Sequence, residues 1–439
     1  VQQVRLSINQ FPLSLANIPF PDLSWPEGYL TRYKDRLVAN SRLSRAAVET
    51  GLAKFILTVP FTAQKWHPFF LETILSGKMK PFKKREMSTK VLADVVEALV
   101  GVAYIAGGIP KAIQCLSIFI NECDWIDPSE CREEFFACAP SHCVDSSYLH
   151  ILEELIGYSF TKKSLLLEAT THASYIGDIS GRSWERLEFL GDAVLDYMIV
   201  SKLMNRSPPL PHSRMHMIKT AMVNKDFLAF LSLEEHELSQ TESFVTEDGV
   251  VLTTNKRSAL WRFIRHSSSG IGPAQLETAK RHENLRLEIL HELHHGTHYP
   301  WHILLKQQAS KFYSDLFEAL VGAIWVDSGS LATCDAFLRR IGMLPYLERV
   351  LADSLHMQHP KEELGGLAQA RSQLYEVEEV KGGDGRTTYN CRLLIGGVEV
   401  GAELGGQTAE EARVGAATKG VAHLKAEAAM QSQDRVSGD

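Results

Sequence analysis

Between Gly28 and Leu57 the apolar positions Leu37, Val38, Leu43, Ala46, Ala47 and Leu52 recur at helical spacing. A Pro-punctuated stretch follows, with Pro60, Pro68 and Pro81, before the apolar run Val91–Ala106, which stops at Gly107-Gly108. Ser88 is placed to cap that run. Residues 109–121 predict another helix, and 124–148, with Pro128, Pro140 and three Cys, a linker. Helical periods then run from Leu149 to Ile156, over 165–169, along Trp184–Leu203, and from Met215 to Leu231. Residues 233–280 show no period, Ala279–His295 predicts helix, and Ile303–Ser328 is the strongest helical signal of the C-terminal half. After His359-Pro360 the texture changes. A short helix at 361–369, three strands (375–380, 388–395, 398–404) and a helix at 408–424, with Thr408 and Glu411 spaced as a capping box, predict an α-β-β-β-α domain.

The expectation is therefore a mainly all-α chain of six segments. These are an irregular N-terminus (1–27), a first helical module (28–124), a linker (125–148), a second module (149–350) with an insert around 233–300, a small α/β domain (358–428) and a disordered tail (429–439). Two segments repeat: Leu92-Ala93-Asp94-Val95-Val96-Glu97-Ala98-Leu99-Val100-Gly101 matches Tyr313-Ser314-Asp315-Leu316-Phe317-Glu318-Ala319-Leu320-Val321-Gly322. Residues 34–43 echo 219–228 more weakly. A repeated module in one chain predicts an intramolecular pseudo-dimer.

Composition works mainly by exclusion. The 439 residues are 45% hydrophobic and 23% charged, which rules out a wholly disordered or collagenous chain. Lys+Arg of 46 against Asp+Glu of 53 gives a net charge of -7, so a strongly basic, non-specific nucleic-acid binder is not expected. The seven scattered Cys fit a reducing compartment. No run approaches a membrane span and the first residues carry no signal-peptide pattern. The expectation is an intracellular protein, cytoplasmic or nuclear, with no membrane partner, cut from something larger.

The chemistry concentrates in acids on apolar helices. Glu188 and Asp192, four apart, share one helix face, as do Asp315 and Glu318, three apart. Carboxylates in such surroundings repel one another and lose hydration unless a positive charge sits among them. Oxygen-only donors suit Mg²⁺, and one or two such ions can orient a water and stabilise the leaving oxygen of a phosphodiester. Any one of these acids read alone is more often an ordinary capped or salt-bridged surface group, and Gly191 is equally compatible with a kink or a close helix crossing.

Residues 185–192, Glu-Arg-Leu-Glu-Phe-Leu-Gly-Asp, resemble the signature of the ribonuclease III family, and Asp315/Glu318 resemble its Asp-x-x-Glu helix. Thr171-His172-Ala173-Ser174 and Val223-Asn224 add to the likeness. The resemblance implies a double-stranded RNA endonuclease that holds Mg²⁺, with Mn²⁺ as substitute, on Glu188, Asp192, Asp315 and Glu318. Glu185, Lys311 and Asn224 would be auxiliaries. The tandem arrangement is similar to the Dicer branch, in fungal Dicer-like form. That implies paired ribonuclease III domains, one strand cut per site, RNA silencing and antiviral defence, and a double-stranded-RNA-binding or silencing-complex protein as partner.

The likeness is uneven. Asp94 and Glu97 are present, but no signature octet precedes Gly28, so the first site is expected to be weak or dead. The α-β-β-β-α segment resembles a double-stranded-RNA-binding domain, yet its last helix opens on Glu410-Glu411 where Lys is usual, which leaves RNA binding and protein docking both open. Lys219, Lys225, Lys381, Arg386 and Lys419 are the candidate RNA contacts. The insert's Lys256, Arg257, Arg262 and Arg265, beside Trp261 and Phe263, suit either an RNA backbone or a solvated helix face. His291-Glu292-Leu293-His294-His295 fits the zinc-protease pattern without a defined third ligand, and Cys138–Cys143 lacks a complementary pair. The competing class is a catalytically inactive RNA-binding or protein-interaction scaffold.

Overall fold

The computed structural model describes residues 27–56, 87–123, 125–141, 147–177, 182–245, 251–368, 371–382 and 387–436. The sequence expectations at Pro60, Pro68, Pro81, Cys143 and Arg386 lie outside them. The chain divides into two compact units, residues 1–131 and 132–439.

In the first unit, α1 (Glu27–Val38) and α2 (Asn40–Glu49) precede a 3-10 turn at Leu52–Phe55 and the long α3 (Thr89–Phe119). Ser88 caps α3 as expected, its Oγ accepting from the Val91 N–H at 3.3 Å. Leu43, Ala46 and Ala47 of α2 pack on Leu92, Ala93, Val96 and Val100 of α3. Among the described helices α3 alone is long and apolar enough to cross a membrane. It is continuous only in name: Gly107 and Gly108 leave helical geometry, Gly108 at φ +67°, and Pro110 follows. Its other face is open, with Leu99 36%, Val102 52% and Ile105 62% exposed. Their repeat counterparts in the second unit, Leu320, Ala323 and Val326, are 0% exposed.

Helix α4 (Pro128–Cys138) replaces part of the expected linker and straddles the boundary between units. The second unit then runs α5 (Ser147–Ile156), α6 (Lys163–Ala169), α7 (Glu185–Met204), α8 (His212–Met222) and α9 (Lys225–Leu233). Helices α10 (Ile271–His295), α11 (Trp301–Lys306), α12 (Phe312–Ser328), α13 (Leu331–Arg340) and α14 (Met343–Ala352) complete the helical part. Helix α12 is the hub, buried on nearly every side, which is why its sequence is apolar almost all round.

Residues 233–280, which show no period in the sequence, hold a pair of strands. Strands β1 (His236–Val245) and β2 (Val251–Ser258) form an antiparallel hairpin with a bulge between Glu237 and Thr241. Helix α10 also begins earlier than its period suggested, at Ile271. The predicted run Ile303–Ser328 is two helices, because Gln307–Lys311 breaks it.

The final segment has the expected element order: α15 (Pro360–Ala368), β3 (Gln373–Lys381), β4 (Thr387–Ile395), β5 (Val398–Gly406) and α16 (Ala409–Val436). The strands form one antiparallel sheet, β3-β4-β5, and Gly396 and Gly397, both at positive φ, make the two-residue β4–β5 turn. Leu364, Cys391, Leu393, Val400, Ala412, Ala416 and Leu424 form its core. The capping box is present in a shifted form: the Glu411 N–H donates to Thr408 Oγ1 at 3.1 Å, and Glu411 Oε2 accepts from the N–H of Gln407, one residue before the cap, at 2.9 Å. Helix α16 continues to Val436, so most of the predicted disordered tail is helical.

Candidate active site

Two glycines set the site. A Cβ on Gly191 of α7 would lie 1.7 Å from the Glu318 carbonyl oxygen of α12, and one on Gly322 would lie 2.2 Å from the Leu187 oxygen. Only residues without side chains let the two backbones touch in this way. Gly191 therefore marks a close crossing rather than a kink.

The crossing carries Glu188 of α7 against Asp315 and Glu318 of α12. One carboxylate oxygen from each lies within 4.8 Å of the others, and among the described residues these three form the metal-capable group. Glu188 is 6% and Asp315 9% exposed. Asp192 lies outside that tight trio but close enough to act on it. Burial first, then the charges of Asp192, Glu188 and Asp315, push the Glu318 carboxyl well above its ordinary pKa. A buried set of oxygen donors under mutual repulsion fits a hard divalent cation.

Lys311, at the start of α12, partly balances these charges. Its Nζ donates to Glu188 Oε1 and Asp315 Oδ1, each at 2.6 Å. Burial alone would lower its pKa, but the bonds to Asp315 and Glu188 outweigh that and raise it. Glu185 is turned to Ser183, whose Oγ donates to Glu185 Oε2 at 3.2 Å. The signature's Arg186 is buried in a two-pronged pair with Glu168, its Nη2 2.8 Å from Oε2. That pair fixes the first turn of α7. The Trp184 N–H donates to the Thr171 oxygen at 2.9 Å and His172 meets the Trp184 ring edge-on at 5.1 Å, so the upstream Thr-His-Ala-Ser segment braces the same turn.

The remaining candidates are spread over other duties. Asn224 caps α9, its side chain accepting from the Asp226 N–H at 2.9 Å. Asn224→Ala is expected to cost about 1 kcal/mol of stability, measured by urea denaturation. A cleavage rate that falls more than the loss of folded protein explains would show an auxiliary role in cleavage as well. Lys219 pairs with Asp196 at 2.9 Å, and Lys419 with Glu403 at 2.8 Å. Lys381 lies 4.0 Å from Glu379, and Lys225 is exposed. In the insert, Arg262 pairs with Glu235 at 2.7 Å and lies over Trp261, while Arg265 lies over Tyr175. His291 and His295 do face each other on α10, with ring centres 5.3 Å apart, but they enter no metal-capable group among the described residues.

The first unit preserves part of this pattern. Asp94 and Glu97 lie on α3, and Lys90 Nζ sits 3.2 Å from Asp94 Oδ1. Sequence reasoning missed Lys90, although the repeat holds the signal: it stands four residues before Asp94 as Lys311 stands before Asp315.

Residues 11–108 and 185–329 match the Ribonuclease III domain. The chain belongs to the ribonuclease III domain family. This ribonuclease III chain is 41% identical over 436 residues to Dicer-like protein 2 of Cryphonectria parasitica, covering 93% of the chain and 30% of that protein. It is 43% identical over 370 residues to Dicer-like protein 2 of Pyricularia oryzae, covering 82% and 25%. With Dicer-like protein 2 of Coccidioides immitis it shares 43% identity over 388 residues, covering 86% and 26%. The chain thus spans less than a third of the length of these curated relatives. The matched segments include both Asp94/Glu97 and the complete signature with Asp315/Glu318.

Proposed function

We propose that this chain is the nuclease portion of a Dicer-like enzyme that hydrolyses double-stranded RNA. It would use Mg²⁺, or Mn²⁺ in its place, held by Glu188, Asp192, Asp315 and Glu318. The observation that carries the proposal is the convergence of Glu188, Asp315 and Glu318 within 4.8 Å across the Gly191–Gly322 crossing. A scaffold would have no need to keep three carboxylates together at such electrostatic cost. Bound there, the cation supplies an activated water and charge neutralisation at the phosphate. The chain's own part is to hold four oxygen donors on two helices that cannot slide past each other, and to keep Lys311 beside Glu188 and Asp315. Glu185, one turn before Glu188, is an outer acid at the rim.

The same reading makes the second module the working site and the first an incomplete one, since among the described residues Glu188, Asp315 and Glu318 form a metal-capable group and Asp94 and Glu97 enter none. The two modules would pair within the chain around an RNA duplex. Small-RNA production for gene silencing in a fungus follows from the likeness to the Dicer-like proteins, as does a silencing-complex protein as partner. The final α-β-β-β-α segment suits protein docking better than tight RNA binding. Glu410 stands exposed at the start of α16, and Lys361 and Lys419 are engaged by Glu410 and Glu403.

Cleavage of an end-labelled RNA duplex tests this. Mg²⁺ is expected to support cutting of one strand per docking event, and chelation to stop it. Asp94→Asn with Glu97→Gln is expected to leave the rate within about twofold, since two carboxylates do not make the four-donor site. Equal cutting of both strands, lost in that double variant, would show a working first site.

A further inference from the structure

The turn that delivers Lys311 to the carboxylates is held from two sides. Residues Gln307–Lys311 join α11 to α12, and within them Gln308 has φ +49°, a left-handed conformation that a side-chain-bearing residue adopts only under constraint. Helix α10 supplies one hold: Arg281 Nε donates to the Gln307 oxygen at 2.9 Å and Nη2 reaches the Gln308 oxygen at 3.5 Å. The other hold crosses from the α-β-β-β-α segment. Gln308 Nε2 donates to Glu411 Oε2 at 3.0 Å, and also to the Leu305 oxygen at 2.9 Å. Glu411 is 4% exposed, so this contact is shielded from water. Three residues beyond Gln308, Lys311 reaches Glu188 and Asp315.

We propose that Glu411 is a positioning residue for the ribonuclease III site: through Gln308 it fixes the turn that places Lys311 between Glu188 and Asp315. The final segment then serves cleavage by bracing the nuclease module, in a way that needs no contact between that segment and RNA. The capping bonds of Glu411 explain why an acid suits the first turn of α16, but not why its oxygen meets a strained turn of another subdomain. Gln308→Ala separates the two duties, because it removes the cross-contact and leaves the capping box whole. Alanine is also no easier than glutamine at positive φ, so the turn is neither relieved nor replaced.

The proposal rests on the nuclease reading, and its test has an arm that does not. In the full chain, Gln308→Ala, Glu411→Ala and Glu411→Gln are compared by duplex cleavage at saturating and limiting RNA. Hydrogen exchange is followed at the amides of residues 308–311. Gln308→Ala and Glu411→Ala are expected to lower kcat roughly threefold to tenfold with KM within about twofold, since a small misplacement of an active-site group is felt in the chemical step. Exchange at 308–311 should quicken in both. Glu411→Gln keeps an acceptor oxygen and should retain both wild-type values. The double variant Gln308→Ala/Glu411→Ala should be no slower than the slower single one, as for two ends of one contact. Unchanged kcat and exchange in Gln308→Ala would overturn the proposal. So would a loss confined to KM, or a Glu411→Gln protein as impaired as Glu411→Ala. If the wild-type chain cuts no duplex, the nuclease reading fails; unchanged exchange in Gln308→Ala would then overturn the bracing contact as well.

Discussion

Glu318→Gln is expected to lower duplex cleavage by roughly 10²–10³-fold, the scale of losing one group that stabilises charge in a transition state, while making the metal-free protein more stable. The two effects have one cause. Glu318 is pushed well above its ordinary pKa by burial and by Asp192, Glu188 and Asp315. For a carboxyl raised in the folded state, the associated stability is full below the unfolded pKa of about 4.3. It is lost as pH rises through the folded value. In chelator, wild-type Tm should therefore fall across that rise, and Glu318→Gln should fall less. A divalent cation favours the charged carboxylates, so its addition should raise wild-type Tm more than that of the variant. Thermal melts with and without Mg²⁺ check this, and parallel pH curves for the two proteins in chelator would contradict it.

The largest stability effect is expected at Gly191. On helix propensity alone, Gly191→Ala should gain up to about 1 kcal/mol. The added Cβ would instead sit 1.7 Å from the Glu318 carbonyl oxygen and 2.9 Å from the Gly322 nitrogen. Both are backbone atoms of a buried helix, so no side-chain rotation relieves the clash. The cost is that of severe overpacking, about 3 kcal/mol or more, and it exceeds the propensity gain. Separating α7 from α12 also separates Glu188 from Asp315 and Glu318. Activity should thus fall even in whatever fraction stays folded. Urea denaturation of Gly191→Ala is the check: a midpoint at or above wild type would mean that the crossing is not tight.

What the sequence revealed and what it hid follow from the range of the forces involved. Capping at Ser88 and the Thr408/Glu411 box depend on residues three apart, and both were readable. So were the signature acids, because carboxylates in an apolar helix stand out against their surroundings. The β1–β2 hairpin was not readable, because His236-Glu237-Leu238-Ser239-Gln240 has no two-residue alternation of apolar and polar positions. Helix α12 was readable as a helix, but its nearly all-round apolar sequence hid where it ends and that Gln307–Lys311 separates it from α11. The roles of Lys219 and Gly191 depend on partners in other helices, and the Gln308–Glu411 bond spans 103 residues. Patterns within one segment do not report such contacts.

Helix α3 leaves Leu99, Val102 and Ile105 facing water where the second unit closes the same positions. In solution this stripe gives the first unit a sticky flank. Apolar attraction strengthens on warming and fades in the cold. A stock of this protein will therefore stay dispersed better on ice than on the bench, and salts that sharpen burial, such as sulfate, will clump it first.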